Sequence, residues 1–519
     1  MMNWQVPKSA GQGKNRAVHY AGFRKGWQVN SQREFSPSQF YLVLNNLQPI
    51  PEGVRVRKGY RTQYQLDGRT YLGGFHGSID GKARLFASTE DGLFDISALP
   101  LPVLKSSDKA SAWVSTQFSN SAGGWICAVN GSKHIYLADA AELRKDGEGG
   151  IPVLSVSDTT EFPEVPNLSH ILNYKGRLYF AAKGTLDLAY LAPRAVSGEL
   201  SLFAVGQNCS RGGSIAGLGN WTVDAGINIE DYMLVMTTEG ELLIYRGIDP
   251  ASDITLAGVY QLAKPLGLSP FVSFGSDTLI LTIAGVISLK AVLNGTVYEK
   301  DVYMTNGFKF VLQEHIKLTA SNPKWRMYSI PAEGLLVINA PLFGVEGKYI
   351  QYVFDSLTQQ WATYSGLDVS DMLVTTGGVY GLAGQKFIAM FSGYSDDGEH
   401  ISFKLLTSFS AFNSPANRKR ISIGRPRYEA VDLQDIHLSY PVDMDASQPT
   451  NTIDYSFMAS LWDEALWDVD VWEGRETYQQ WLAGLTGFGF YIAVWFEAKT
   501  RDDFVWRGID LYYETGTSI

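Results

Sequence analysis

Arg84–Ser97 reads RLFASTEDGLFDIS. An apolar run through Leu85, Phe86 and Ala87 meets a polar stretch, Ser88–Asp91, and after Gly92 a second apolar pair, Leu93-Phe94, follows. Two short strands joined by a tight turn account for this pattern. Glu90-Asp91-Gly92 supplies the turn, because glycine enters the positive-φ region without a Cβ penalty. The same design recurs along the chain: GRLYFAAKGTLDLAYL at Gly176–Leu191, DYMLVMTTEGELLIYRG at Asp231–Gly247, DTLILTIAGVISL at Asp277–Leu289 and MLVTTGGVYGLAGQKFIAMF at Met372–Phe391. The spacing fits a unit of about 40–55 residues, the length of a four-stranded propeller blade. One blade cannot bury both of its faces, whereas a ring of blades buries them all. The pattern therefore predicts an all-β chain with a β-propeller of six to eight blades, seven fitting the spacing best. Two stacked β-sandwiches are the alternative.

Working outward, three segments emerge: residues 1–64 as an N-terminal extended arm and lead-in strand, 65–410 as the propeller, and 411–519 as a small C-terminal β-domain. Before Gln39–Leu47 (QFYLVLNNL) there is little periodicity. After residue 410 come a basic stretch, Asn417–Arg427 (NRKRISIGRPR), and three strand-like runs, Tyr428–Leu438, Thr452–Ser460 and Gly487–Ala498. Between them lies LWDEALWDVDVWEG, with Trp462, Trp467 and Trp472 five residues apart. That spacing suits neither one helix face nor one strand face, so a structural loop packed by its rings is expected. Ala140–Leu143 and Glu476–Leu482 are the candidate helical pieces; no long stretch carries a sustained 3.6-residue period.

Composition agrees with a large, strand-rich body. Hydrophobic residues make up 45% of the 519 and aromatic ones 13%, with 52 glycines for turns. The formal charge is -10, which argues against a general nucleic-acid coat. The charge is unevenly placed. Of 43 Lys/Arg and 53 Asp/Glu, nine and two fall in residues 1–60, leaving 34 and 51 for the rest. The basic leader is either a solvated tail or an arm that docks on an acidic neighbour. Cys127 and Cys209 do not make a disulfide framework or a CxxC. The start MMNWQVPKSAGQGKNR has no apolar core of a signal peptide, and no run of 18 apolar residues is present, so no membrane span is expected.

Chemistry is sparse. None of the seven histidines lies within five residues of another, and there is no HExxH. Gly11–Lys14 (GQGK) lacks the strand before and the Ser/Thr after that a phosphate loop needs, and neither GxSxG nor GxGxxG after a strand occurs. No catalytic, cofactor-binding or metal-binding residues are assigned, and the chain is read as not an enzyme. The alternative is a carbohydrate-active propeller, a glycosidase or glycan binder with paired carboxylates in the central funnel. Ser88–Phe94 loosely matches the turn motif of sialidase propellers, but with Glu90 in place of Asp, without the closing Trp, and without recurrence. Ser395-Asp396-Asp397-Gly398, and Asp468, Asp470 with Glu473, are possible calcium ligands or plain turn carboxylates; neither follows EF-hand order.

Asn45–Tyr60 (NNLQPIPEGVRVRKGY) resembles the opening of the tail nozzle or hub proteins of short-tailed bacteriophages and related prophages. RLFASTEDGLFDIS is similar to that family's next segment. Tyr352–Gly366 (YVFDSLTQQWATYSG) resembles a late-blade strand and turn, with Trp361 expected on the blade face. Phe391–Phe409 (FSGYSDDGEHISFKLLTSF), followed by Arg418–Arg420, is similar to the exit from the propeller, and LWDEALWDVDVWEG to a further Trp-bearing element. These segments cover about a third of the chain and keep the family's order from end to end. The resemblance implies a structural virion protein of the tail, assembled in the host bacterial cytoplasm. It implies a homohexameric ring below the portal–adaptor (head–tail connector) complex, beside tail fibre or needle proteins, passing phage DNA through its lumen without specific binding. It implies no catalytic residues and no cofactor. Candidate subunit-contact residues are Arg55, Arg57 and Lys58 in the basic leader and Trp462, Trp467 and Trp472 in the loop.

Overall fold

The hairpin at Arg84–Ser97 forms as its residues dictate. Lys82–Thr89 pairs antiparallel with Gly92–Asp95, closing at Thr89 opposite Gly92 across a two-residue turn. In a computed structural model of the chain, described for residues 16–21, 26–29, 40–98, 102–157, 164–224, 229–295, 302–412, 414–446, 453–458, 476–478, 482–483 and 487–516, every recurring hairpin takes the same place. Each is the second and third strand of a small antiparallel sheet: Arg177–Ala182 with Asp187–Tyr190, Ile229–Thr237 with Glu241–Arg246, Asp277–Thr282 with Gly285–Ser288, and Gly378–Ala383 with Lys386–Met390.

Among the described residues there are seven such sets of strands. The first strands of blades 1 to 7 are Tyr71–Ile79, Val114–Asn120, Leu168–Tyr174, Ile215–Asp224, Phe271–Phe274, Arg326–Ile330 and Asp371–Thr375. Each of these first strands contacts the first strand of the next sheet, and the seventh contacts the first, so the series closes on itself. The unit is a seven-bladed β-propeller. Closure is sealed in blade 7, whose outermost strand, Tyr60–Gln65, comes from the other end of the chain and pairs with Lys386–Met390. Such pairing fastens the first strand of the unit to its last blade.

Burial explains why the sheets assemble. Apolar side chains pack as layers between neighbouring blades. Phe75, Phe86 and Trp113 meet Ile126 and Tyr136 between blades 1 and 2, and similar layers fill the gaps between blades 2 and 3, 3 and 4, 4 and 5, and 7 and 1. Phe75 stacks on Phe86 at 4.9 Å, and Trp113 meets Tyr136 edge-on at 4.9 Å. Blade 5 has three strands, then helices Leu289–Leu293 and Lys309–Thr319; Leu312 and Ile316 bury the inner face of the second helix.

The propeller unit comprises Tyr60–Ser356 and Tyr364–Ser392. The second unit comprises Met1–Gly59, Leu357–Thr363 and Gly393–Ile519. The boundaries thus fall at residues 59/60 and 392/393, where 64/65 and 410/411 were expected, and the N-terminal segment shares a unit with the C-terminal β-domain. In that unit two antiparallel sheets face each other. One includes Leu47–Ile50, Gly53–Val56, Phe504–Thr515 and Lys419–Ala430; the other includes Tyr41–Asn45, Ile401–Thr407, Trp495–Thr500 and Asp432–Ser439. Phe403 of the second sheet lies 4.5 Å from Phe504 of the first, and Phe496 lies 4.7 Å from Trp506. Among the described residues neither expected helical piece is a helix: residues 140–142 bend into the edge strand Leu143–Lys145, and Glu476–Tyr478 and Leu482–Ala483 pair with Lys419–Ala430.

Candidate functional site

A polar cluster sits where the first strands of the blades converge. Asp371 heads the first strand of blade 7 and Arg326 that of blade 6. Arg326 Nη1 donates to both carboxylate oxygens of Asp371, at 2.8 and 2.9 Å, and its Nη2 donates to the Trp113 carbonyl of blade 2 at 2.6 Å. The Tyr328 hydroxyl donates to Asp371 Oδ1 at 2.6 Å, the Met372 N–H to the same oxygen at 3.0 Å, and the Gly74 N–H of blade 1 to Oδ2 at 3.2 Å. Lys324 Nζ donates to the Leu72 and Ser111 carbonyls. Across the ring, His170 of blade 3 donates from Nε2 to the Leu268 carbonyl, 2.9 Å away, ahead of blade 5.

The electrostatics follow from burial and pairing. Burial pushes the Asp371 carboxyl up, but Arg326, the Tyr328 hydroxyl, Lys324 and the Gly74 N–H together outweigh it and hold the group below the usual carboxylate range. Burial pushes Tyr328 well up, and Asp371 beside it adds to the effect, so the phenol keeps its proton. Burial lowers Lys324, with Asp371 opposing, and burial lowers His76 and His170. Asp371 is therefore an ionised, fully engaged acceptor. Glycoside hydrolysis needs two carboxyls about 5–9.5 Å apart, one of them free to take or give a proton. Among the described residues Asp371 alone brings a carboxylate into hydrogen bonding in this cluster. Its chemistry is that of a clamp joining blades 6, 7, 1 and 2. The turn carboxylates of the sialidase-like stretch are elsewhere engaged: Thr70 donates to Glu90 at 3.0 Å, and Arg69 pairs with Asp91 at 2.7 Å.

The basic leader reaches a different arrangement from the one expected of it. Arg57, expected at a subunit contact, is 1% exposed. Its Nη1 and Nη2 donate to Asp396 at 2.8 and 2.6 Å, and Nε donates to Asn46 Oδ1 at 2.9 Å. Asn46, held at φ 55°, in turn donates from Nδ2 to the Ser402 carbonyl at 2.7 Å. Gly53 lies at φ 155° with its α-carbon against Trp506, where a Cβ would run into the carbonyl oxygen. The stretch Asn45–Gly59 is thus a joint within the second unit, and Arg57 is engaged inside it. Asp396, weighed as a calcium ligand or solvated turn residue, is the ion-pair partner of Arg57. Among the described residues no group of three or more His, Cys, Asp or Glu is placed to hold a metal. Arg55 is 39% exposed and lies 3.2 Å from Asp503; Lys58 is half-buried, its carbonyl accepting from Arg57. Trp361, expected on a blade face, is buried, and its carbonyl accepts from the Trp27 N–H at 2.9 Å. Trp462, Trp467 and Trp472, with Asp468, Asp470 and Glu473, lie outside the described residues.

Part of the leader forms a strand. Arg16–Ala21 pairs antiparallel with Gly508–Tyr513 at the edge of Phe504–Thr515. His19 Nδ1 meets Asp510, which also accepts from Arg425 Nε and Nη2 at 3.0 and 2.7 Å, and Arg427 Nη2 lies 2.6 Å from His19 Nε2. The leader was expected to be a solvated tail or an arm docked on an acidic neighbour; this stretch of it meets an acidic residue, Asp510, of its own chain.

No known protein family matches the chain, and no curated protein matches it. Among the solved structures that resemble it are two β-propeller proteins. One is BBS1N in complex with ARL6DN, from a crystal soaked with mercury, at 12% identity over 64% of this chain and 98% of that one, with a TM-score of 0.38. Another is Sqt1 of Saccharomyces cerevisiae, at 10% identity over 67% and 96%, with a TM-score of 0.36. At these values the blade count rests on the strand order of this chain itself.

Proposed function

We propose that the chain is a structural, ring-forming subunit of a short phage tail, a nozzle or hub placed in the virion tail below the portal–adaptor complex. In this reading six copies, assembled in the host cytoplasm, surround a lumen through which DNA leaves, with tail fibre or needle proteins as further neighbours. The observation that carries it is how the chain spends its buried charge. Both gatherings of buried charged side chains described above, Arg326–Asp371 and Arg57–Asp396, are ion pairs saturated by hydrogen bonds that tie strands together. Buried charges used this way serve shape, whereas an active site keeps a proton donor or acceptor in reserve. The order of the nozzle-like segments supports the same reading. The negative balance of the chain suits a conduit that passes DNA without gripping it, since phosphate attraction would retard the strand.

Mass photometry of the purified chain at low salt tests this. Closed oligomers of one size, with six copies expected, support the proposal. A monomer at micromolar concentration that turns over glycans, with turnover lost on a single carboxylate substitution, refutes it.

A further inference from the structure

The helix Lys309–Thr319 turns Leu312 and Ile316 inward and leaves Phe310, Val311 and Leu318 exposed on its other side. Val311 lies four residues before His315 and Leu318 three after, so the three share one stripe of the helix. His315 fixes where that stripe lies. Its Nε2 donates to the Pro341 carbonyl at 2.9 Å, and its Nδ1 accepts from the Tyr352 hydroxyl at 2.9 Å. Its ring lies 5.1 Å from that of buried Trp325. Pro341 ends the second strand of blade 6, Leu335–Pro341, and the chain runs on through Leu342, Phe343 and Val345, all exposed, Phe343 at 63%. One apolar surface therefore passes from the helix onto this hairpin tip, and both elements belong to the propeller unit.

Shape and charge together say what covers it. Leu342 to Lys348 are exposed without a break, and a Cβ at Gly344 or Gly347 would meet nothing within 4 Å. The tip is a projection, not a groove. A folded partner binds such a projection only through a matching cavity, whereas a lipid headgroup layer takes it in without one. Lys309, Lys317 and Lys348 rim the surface against Glu314, Glu346 and Asp368, with Lys317 paired to Glu314 and Lys348 to Asp368. Each sign occurs three times, a balance that matches zwitterionic headgroups, which carry one charge of each sign. The lysine stems let their ammonium groups reach back to the headgroups while the apolar side chains sink. An anionic bilayer would instead repel a chain of formal charge -10. At 11 residues the helix is too short to span a bilayer, so the contact is with its interface.

We infer that the outer face of Lys309–Thr319 and the 342–345 tip form a lipid-contact surface that seats the propeller on a zwitterionic bilayer. Apolar side chains drive the attachment, not net charge. It is independent of the ring-forming reading above.

Full-length protein is floated through a density gradient with phosphatidylcholine vesicles, with and without added phosphatidylglycerol, at low and high salt. The expected result is flotation with phosphatidylcholine alone, kept at high salt and not raised by phosphatidylglycerol. Phe310→Ser with Phe343→Ser should lower vesicle affinity by about tenfold or more. Both residues are exposed, so the melting temperature of the double variant should match the parent's. A second variant keeps the surface apolar: Phe343→Trp should show a blue shift on adding vesicles beyond any shift of the parent chain. Failure of the parent to float overturns the inference. So does flotation that survives the double substitution, or flotation that needs phosphatidylglycerol and is lost in salt, since either places the contact elsewhere. A blue shift of Phe343→Trp that follows protein concentration without lipid shows a second copy covering the tip, and overturns it too.

Discussion

Replacing Asp371 with alanine should loosen the propeller where its first strands meet. The substitution leaves Arg326 with the Trp113 carbonyl and the Tyr328 hydroxyl, takes the acceptor from the Tyr328 hydroxyl and the Gly74 N–H, and leaves the Met372 N–H with the Tyr328 oxygen. Breaking a buried pair by removing one partner costs about 3–5 kcal/mol. With an unfolding entropy near 2.1 cal/mol/K per residue, a unit of about 300 residues moves by about 1.5 °C per kcal/mol, so its midpoint should fall by about 5–8 °C. Differential scanning calorimetry reads this directly. Asp371→Leu combined with Arg326→Met should recover much of the loss, because removing both charges also removes their desolvation. The pair also sets an acid limit. A carboxyl held below its unfolded value contributes stability that is present above about pH 4 and is lost as pH falls through the folded value. If Asp371→Ala melts within about 1 °C of the parent at pH 7, the cluster does not clamp the blades and the reasoning fails.

Other outcomes follow from the same geometry. Burial lowers His76, His170 and His315, so below about pH 6.5 the unfolded chain takes up protons that the folded one refuses. Thermal stability should therefore decline from pH 7 to pH 5, and His170→Asn should flatten that slope in a calorimetric pH series. Gly53→Ala should destabilise the second unit by about 1–3 kcal/mol in urea unfolding, because the added Cβ meets the Trp506 carbonyl at a φ that side chains avoid. Removing residues 1–21 should leave both melting transitions near their parent values, whereas removing 1–34 also deletes buried Trp27 and should lower the transition of the second unit, at a cost of about 3–5 kcal/mol.

What was legible in the sequence was whatever buries both strands around a turn. The hairpins at Arg84–Ser97 and its counterparts are the second and third strands of blades, nearly continuous in apolar residues, and their spacing yields the count of seven. The sealing strand Tyr60–Gln65 (YRTQYQ) was not legible as a blade strand. It lies outermost, alternates exposed with half-buried residues, and so reads as part of the arm. The helix Lys309–Thr319 escaped because Phe310, Val311 and Leu318 stay exposed beside buried Leu312 and Ile316, which blurs the 3.6-residue stripe. The clamp was missed for a different reason. Its one local signal is a charge heading an apolar run, Asp371 before Met-Leu-Val and Arg326 before Met-Tyr-Ser-Ile, and that signal does not say which charges meet. Arg57 read as a surface cation because its partner, Asp396, lies 339 residues away.

The proposal that this chain builds a tube is tested most directly by negative-stain electron microscopy of the purified protein mixed with the portal–adaptor complex of a short-tailed phage. A tail subunit gives rings with a central opening stacked coaxially on the adaptor as a stubby tail. Separate single propellers beside bare adaptors would contradict it.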